Sequence, residues 1–147
     1  MKIWFDMDNT LNLLYDVPNW LSMLQSSDPT PYAIAKQRIN LSRLARYLNK
    51  LQKAGYEIGV ISWLSKNSTP EYDAMVTSAK MFWLSQHLPS VKWDEIHIVP
   101  YGTNKWEICK EGILFDDEAL NRQTWQGEAY DPCEIFNILG ELSRAAA

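Results

Sequence analysis

Four short apolar runs, at residues 3–5, 56–61, 96–99 and 113–115, each give way at once to polar or turn residues. Runs this short and mainly apolar read as buried parallel strands. The stretches between them carry helical periodicity. Strands alternating with helices give a mainly parallel sheet covered on both sides, so the expected fold is a three-layer α/β/α sandwich. With 147 residues, 46% of them hydrophobic, the chain can bury a core without staples and is expected to form one domain over residues 1–147.

The helices can be placed from local signals. Leu41, Leu44, Leu48 and Leu51 form an apolar stripe in an expected helix over roughly residues 32–54, and Gly55 supplies a C-terminal cap. Thr69-Pro70-Glu71 combines a capping hydroxyl, proline at the first helical position and an acid near the positive helix end. That helix should run to about Gln86, before Pro89. Short helices are expected over 18–25 and 104–110, and a last one from Pro132 to about Leu142.

Charge and composition narrow the function classes. The net charge of −4 predicts no global attraction to nucleic acid. Between Pro29 and Tyr56 there are six basic residues and no acidic one. Arg43, Arg46, Lys50 and Lys53 fall on one helical stripe there, either a solvated outer face or a surface for anions. No run approaches the roughly 18 apolar residues of a membrane span. Met1-Lys2 leads straight into the first strand, so no signal peptide is expected. Cys109 and Cys133 have no partners at metal-ligand spacing and read as reduced packing residues in a cytoplasmic protein. His87 and His97 likewise read as structural.

In parallel α/β sheets ligands bind beyond the carboxyl ends of the strands. The residues there are Asp6 and Asp8, Ser62 and Trp63, the 100–105 loop with Lys105, and Asp116 with Asp117. Asp6 and Asp8 alone are compatible with a helix start or a turn. Four carboxylates at one sheet edge, however, repel one another and call for a hard cation. Oxygen ligands without His or Cys suit Mg²⁺, and a lysine and a hydroxyl nearby suit phosphate oxygens. The expected chemistry is phosphoryl transfer with magnesium.

These residues carry a resemblance. "DMDNT" at 6–10 resembles the DxDxT first motif of haloacid dehalogenase (HAD) superfamily phosphatases, Ser62 at the end of "EIGVIS" their second motif, Lys105 their third-motif lysine, and "ILFDDE" at 113–118 their fourth. The resemblance spans residues 2–120 and is nearest the capless magnesium-dependent phosphatases. It implies a HAD-like, Rossmann-like sheet and a phosphomonoester hydrolase. Asp6 would be the nucleophile, forming an aspartyl-phosphate. Asp8 would be the general acid and then the base, its backbone carbonyl binding the metal. Ser62 and the Trp63 amide would hold phosphoryl oxygens, and Lys105 would balance their charge. The metal ligands would be Asp6, Asp8 and one of Asp116 and Asp117; Asp117 is favoured, with Asp116 then orienting the others. Only ten residues lie between Lys105 and Asp116, short for the family, which keeps Lys66 and Lys110 as rivals for the lysine.

Family members often carry a cap domain. Here residues 11–31 leave room for only a loop and a short helix, so a minimally capped, open site is expected, with Tyr15 and Trp20 overhanging it. Trp63 is placed either to stack on a nucleobase or to pack. A nucleotide is the first substrate expectation, ahead of a sugar phosphate. A nucleic-acid end or a phosphoprotein would also fit an open site. Two other classes compete: a catalytically silent scaffold on the same fold, and a receiver-like phosphoacceptor. The latter needs an aspartate after a middle strand, where this chain has Ser62 and Pro100.

Overall fold

The computed structural model describes residues 1–146 and is a five-stranded, all-parallel sheet between helices. The strands are β1 (Lys2–Phe5), β2 (Glu57–Trp63), β3 (Glu95–Val99), β4 (Ile113–Phe115) and β5 (Ala129–Tyr130), in spatial order β3-β2-β1-β4-β5. The helices are α1 (Trp20–Gln25), α2 (Thr30–Ile34), α3 (Leu41–Lys53), α4 (Pro70–His87), α5 (Lys105–Cys109), α6 (Ala119–Thr124) and α7 (Ile135–Ala145).

Period-two geometry sorts the strand residues between two faces. Ile3, Phe5, Ile58, Val60, Ile113 and Phe115 pack on one side with the leucine stripe of α3, with Trp83 and Leu84 of α4, and with Ile135 and Leu139 of α7. Trp4, Ile61 and Leu114 face the other side, against Cys109 and Trp125. Trp4 takes the room that Gly59 on the neighbouring strand leaves: a Cβ there would collide with the indole ring. The three-layer sandwich expected from the strand pattern is therefore the observed fold. Among the described residues no helix is long and apolar enough to cross a membrane.

Several boundaries differ from expectation. The helix expected over residues 32–54 is two helices, α2 and α3. Residues between them run beside the loop after β1 instead: Leu13 N–H donates to Lys36 O at 2.8 Å and Arg38 N–H to Leu11 O at 2.9 Å. Asn40 then caps α3 through its side chain, accepting from Arg43 N–H. β5 and α6 had no counterpart in the expected elements. β5 is only two residues long, too short for a periodicity, and α6 has one buried residue, Asn121. A 3₁₀ turn at Pro132–Glu134 precedes α7, which therefore starts later than expected. Cys109 is buried, as a packing residue should be, but Cys133 is exposed because it lies in that surface turn.

β1 lies at the centre of the sheet, and chain order reverses about it. The crevice beyond the ends of β1, β2 and β4 is thus the switch point at which such sheets bind ligands.

Candidate active site

A cavity of about 500 Å³ opens at this switch point. Its floor is made by the loops after β1 and β4. Leaving β1, Asp6 N–H still pairs with Phe115 O, at 3.0 Å, and the chain then turns tightly: Thr10 N–H and Leu11 N–H both donate to Met7 O. Asn9 sits in the left-handed region, φ 60°, which asparagine tolerates better than most residues. Asn12 Oδ1 fixes the turn by accepting from the N–H groups of Asn9 and Leu14. The turn presents Asp6, Asp8 and Thr10 together.

Lys105, at the first position of α5, is buried among acids. Its Nζ is 2.9 Å from Asp6 Oδ1 and 2.6 Å from Asp116 Oδ2. Burial alone would lower its pKa, but the two carboxylates outweigh that and hold the ammonium well above its ordinary range. Lys66 and Lys110, the rival lysines, are both exposed, and Lys66 reaches only the cavity wall.

The four expected carboxylates divide into three and one. Asp6, Asp116 and Asp117 each place an oxygen within 4.8 Å of the others, and these three could hold a metal ion. Asp116 is fully buried with both oxygens engaged. Oδ2 accepts from Lys105 and from Asn121 Nδ2 at 3.1 Å, and Oδ1 accepts from Glu118 N–H at 2.9 Å. Asp117 is half-buried on the cavity wall. The Thr10 hydroxyl has one proton, which goes to Asp6 Oδ2 at 2.8 Å. Its 3.3 Å approach to Asp117 Oδ1 leaves that oxygen open. Burial, and then the charge of Asp6, push Asp116 up to about 7 and Asp117 up to about 8.

Asp8 stands apart, on the cavity but paired with a lysine that no motif had marked. Lys80, in the middle of α4, is wholly buried. Its Nζ donates to Asp8 Oδ2 at 2.8 Å, Ser62 Oγ at 2.7 Å and the Trp63 carbonyl at 2.7 Å. Ser62 is brought to the site in an unexpected way: it is fully buried and does not line the cavity, its hydroxyl being covered by Lys80. The hydroxyl on the wall after β2 is that of Ser65. Trp63 does line the cavity. Its ring lies 5.0 Å from that of Tyr101, and its Nε1–H donates to Thr103 O at 2.9 Å.

Sequence reasoning also passed over Thr10 and Asn121. Thr10 was legible as the last letter of the first motif. A signal for Lys80 existed too, since Tyr72, Val76, Ala79, Lys80, Trp83 and Leu84 form the buried stripe of α4, and a lysine inside such a stripe needs a partner.

The roof comes from residues 11–31. Leu14, Leu21 and Leu24 give it an apolar lining, and Tyr15 and Trp20, which also line the cavity, lie tilted to each other with ring centroids 4.5 Å apart.

No protein-family model matches the sequence, and no curated protein matches it. Solved structures do. A chain in the structure of the Pnkp1/Rnl/Hen1 complex aligns with 88% of this chain at a TM-score of 0.55 and 15% identity. D,D-heptose 1,7-bisphosphate phosphatase from Burkholderia thailandensis aligns with 83% of it at a TM-score of 0.49 and 14% identity. This chain covers 44% of the first of these chains and 69% of the second. At such identity the first likeness shows a common fold.

Proposed function

We propose that this chain is a magnesium-dependent phosphomonoester hydrolase of the HAD type, working through an aspartyl-phosphate on Asp6. The observation that carries the reading is the bridge from Lys105 to Asp6 and Asp116 on the floor of a cavity that Asp8 and Asp117 also line.

The donor set fits a hard divalent cation: three carboxylates in reach of one another, oxygen ligands only, and two of the acids pushed up by burial and mutual repulsion. In this reading Asp6, Asp117 and the Asp8 carbonyl hold Mg²⁺, and Asp116, whose oxygens are spent on Lys105, Asn121 and Glu118, orients them. When bound, the cation supplies positive charge against the phosphoryl oxygens.

Every other part falls to the chain. Asp6 Oδ attacks phosphorus, and the P–O bond to the leaving group breaks. Like charges oppose that attack, and Lys105 offsets the repulsion from 2.9 Å away. Thr10 and Lys105 hold one oxygen of Asp6 each, fixing its plane. Asp8 gives its proton to the departing alkoxide and later takes one from the water that opens the acyl phosphate. The Trp63 amide and the Ser65 hydroxyl are the donors for phosphoryl oxygens on the β2 side. Ser62 belongs behind them, as an anchor for Lys80.

Residues 11–31 act as a minimal cap rather than a domain. The aromatic pairs Tyr15–Trp20 and Trp63–Tyr101 suit a flat leaving group, so a nucleotide leads over a sugar phosphate.

Turnover of p-nitrophenyl phosphate with Mg²⁺, with EDTA, and by Asp6→Asn tests the reaction. Activity should need the metal and vanish in Asp6→Asn; full activity in that variant would overturn the reading. A kcat/KM screen of phosphomonoesters tests the substrate, and nucleotides ranking no higher than sugar phosphates would remove the nucleotide preference.

A further inference from the structure

We propose that Lys80 is a positioning residue for Asp8, a second buried lysine that serves the acid–base carboxylate as Lys105 serves the nucleophile. The proposal rests on the phosphatase reading and adds to it a residue outside the four motifs.

An ammonium has three protons. All three of Lys80 are used, on Asp8 Oδ2, Ser62 Oγ and the Trp63 carbonyl, at 2.7–2.8 Å. None is left for a substrate, and the side chain has no access to the cavity. Its acceptors come from two different elements, the loop after β1 and the end of β2, while the lysine itself comes from α4. A fully buried lysine must gain enough from its partners to offset desolvation. Two of those partners are near-immobile: Ser62 lies in the sheet, in register with Ile98 of β3, and the Trp63 carbonyl is part of the same strand. The third, Asp8, lies on a turn and is the group that has to be aimed.

The consequence is geometric. Asp8 Oδ2 is held by Lys80, and Oδ1 is approached by Asn12 Nδ2 at 3.4 Å. The carboxylate plane is thereby set against the strand that also carries the Trp63 amide. Donor and acid–base group then share one frame, and Oδ1, the oxygen Lys80 does not hold, is the one aimed to pass a proton to and from the leaving-group oxygen. Tyr32, with its ring 5.0 Å from Lys80 Nζ, closes the remaining side of the ammonium.

The test compares kcat/KM for an aryl ester, p-nitrophenyl phosphate, with that for an alkyl ester, glycerol 2-phosphate, in wild type and Lys80→Met. This parameter covers only the steps through transfer to Asp6, where the alkoxide needs the proton and the nitrophenolate hardly does. Lys80→Met should cost about 10²-fold on the alkyl ester and at most about tenfold on the aryl ester, the share of an acid that has lost its aim. Lys80→Arg should recover part of the ratio, and adding Lys80→Met to Asp8→Asn should leave it unchanged. Circular dichroism and thermal melting verify the fold. If Lys80→Met does not fold, Lys80→Gln, which keeps a donor on a shorter side chain, carries the same comparison. A folded variant that loses both activities by the same factor overturns the proposal, because a merely structural lysine would do that. A wild-type protein that turns over neither ester with Mg²⁺ overturns the phosphatase reading, and Lys80's part with it.

Discussion

Lys105 and Asp116 meet at 2.6 Å although they are only eleven positions apart. The short separation works because α5 is a five-residue helix, and Lys110, in the left-handed conformation, turns the chain straight back toward β4. Neither partner has water to fall back on. Removing the lysine would leave Asp6 and Asp116 facing each other in a buried site without their shared counter-charge. Lys105→Met is expected to destabilise the protein by about 3–5 kcal/mol in urea unfolding and to abolish phosphatase activity. Adding Asp116→Asn should recover part of the stability and none of the activity. Equal stability of Lys105→Met and wild type would mean that the bridge does not exist in solution.

Asp8→Asn keeps the shape of the side chain and its contact with Lys80 but has no proton to give. Its rate loss is expected to be about 10²–10⁴-fold on alkyl esters and much smaller on p-nitrophenyl phosphate in a kcat/KM comparison. A loss that ignores the leaving group would assign Asp8 a purely structural part.

The sheet and the order of the acidic residues were legible because strand ends and site coincide in this architecture. Each apolar run stops where the chain reaches the crevice, so "IWFDMD" and "ILFDDE" report fold and site at once. The break between α2 and α3 was hidden because its cause lies in the loop after β1, whose backbone pairs with residues 36 and 38. Lys80 was hidden for a related reason. Its partners are 72 and 18 positions away, and only packing of α4 against the end of β2 joins them. Ser62 shows the opposite case: the sequence pattern puts it at the end of β2, but its hydroxyl faces Lys80 of α4 and not the cavity.

Gly59 offers a test of the sheet that leaves the cavity alone. Its absent side chain is where the Trp4 ring lies. Gly59→Ala should cost roughly 1–3 kcal/mol of overpacking, and Trp4→Leu in the same chain should return part of it. Both effects are read from denaturation midpoints.

Trp20 packs against Tyr15 with ring centroids 4.5 Å apart, and both line the cavity. If the mouth holds a nucleobase, Trp20→Ala should raise KM for a nucleoside monophosphate by an amount worth about 1–3 kcal/mol. KM for glycerol 2-phosphate, too small to reach the ring, should stay within about threefold, or about 0.6 kcal/mol. Equal effects on both would point to a role in shaping the cap and not in binding the base.

The acids on the floor predict a link between pH, metal and stability. In the unfolded chain Asp116 and Asp117 lose their protons near pH 4. In the folded, metal-free protein burial and Asp6 hold those protons on to about 7 and about 8. The folded state therefore binds more protons than the unfolded one across that window. By linkage, stability is greatest at its acid end and falls as pH rises toward 8. Mg²⁺ competes for the same oxygens and binds the deprotonated form. The rise in Tm on adding Mg²⁺ should thus be larger at pH 8 than at pH 5, and Ca²⁺, with the same charge, should act in the same direction. Asp117→Asn should raise Tm of the metal-free protein at pH 8, where it removes the repulsion, and should shrink the Mg²⁺ shift. A Tm shift of equal size at both pH values would show that the cation binds somewhere other than these carboxylates.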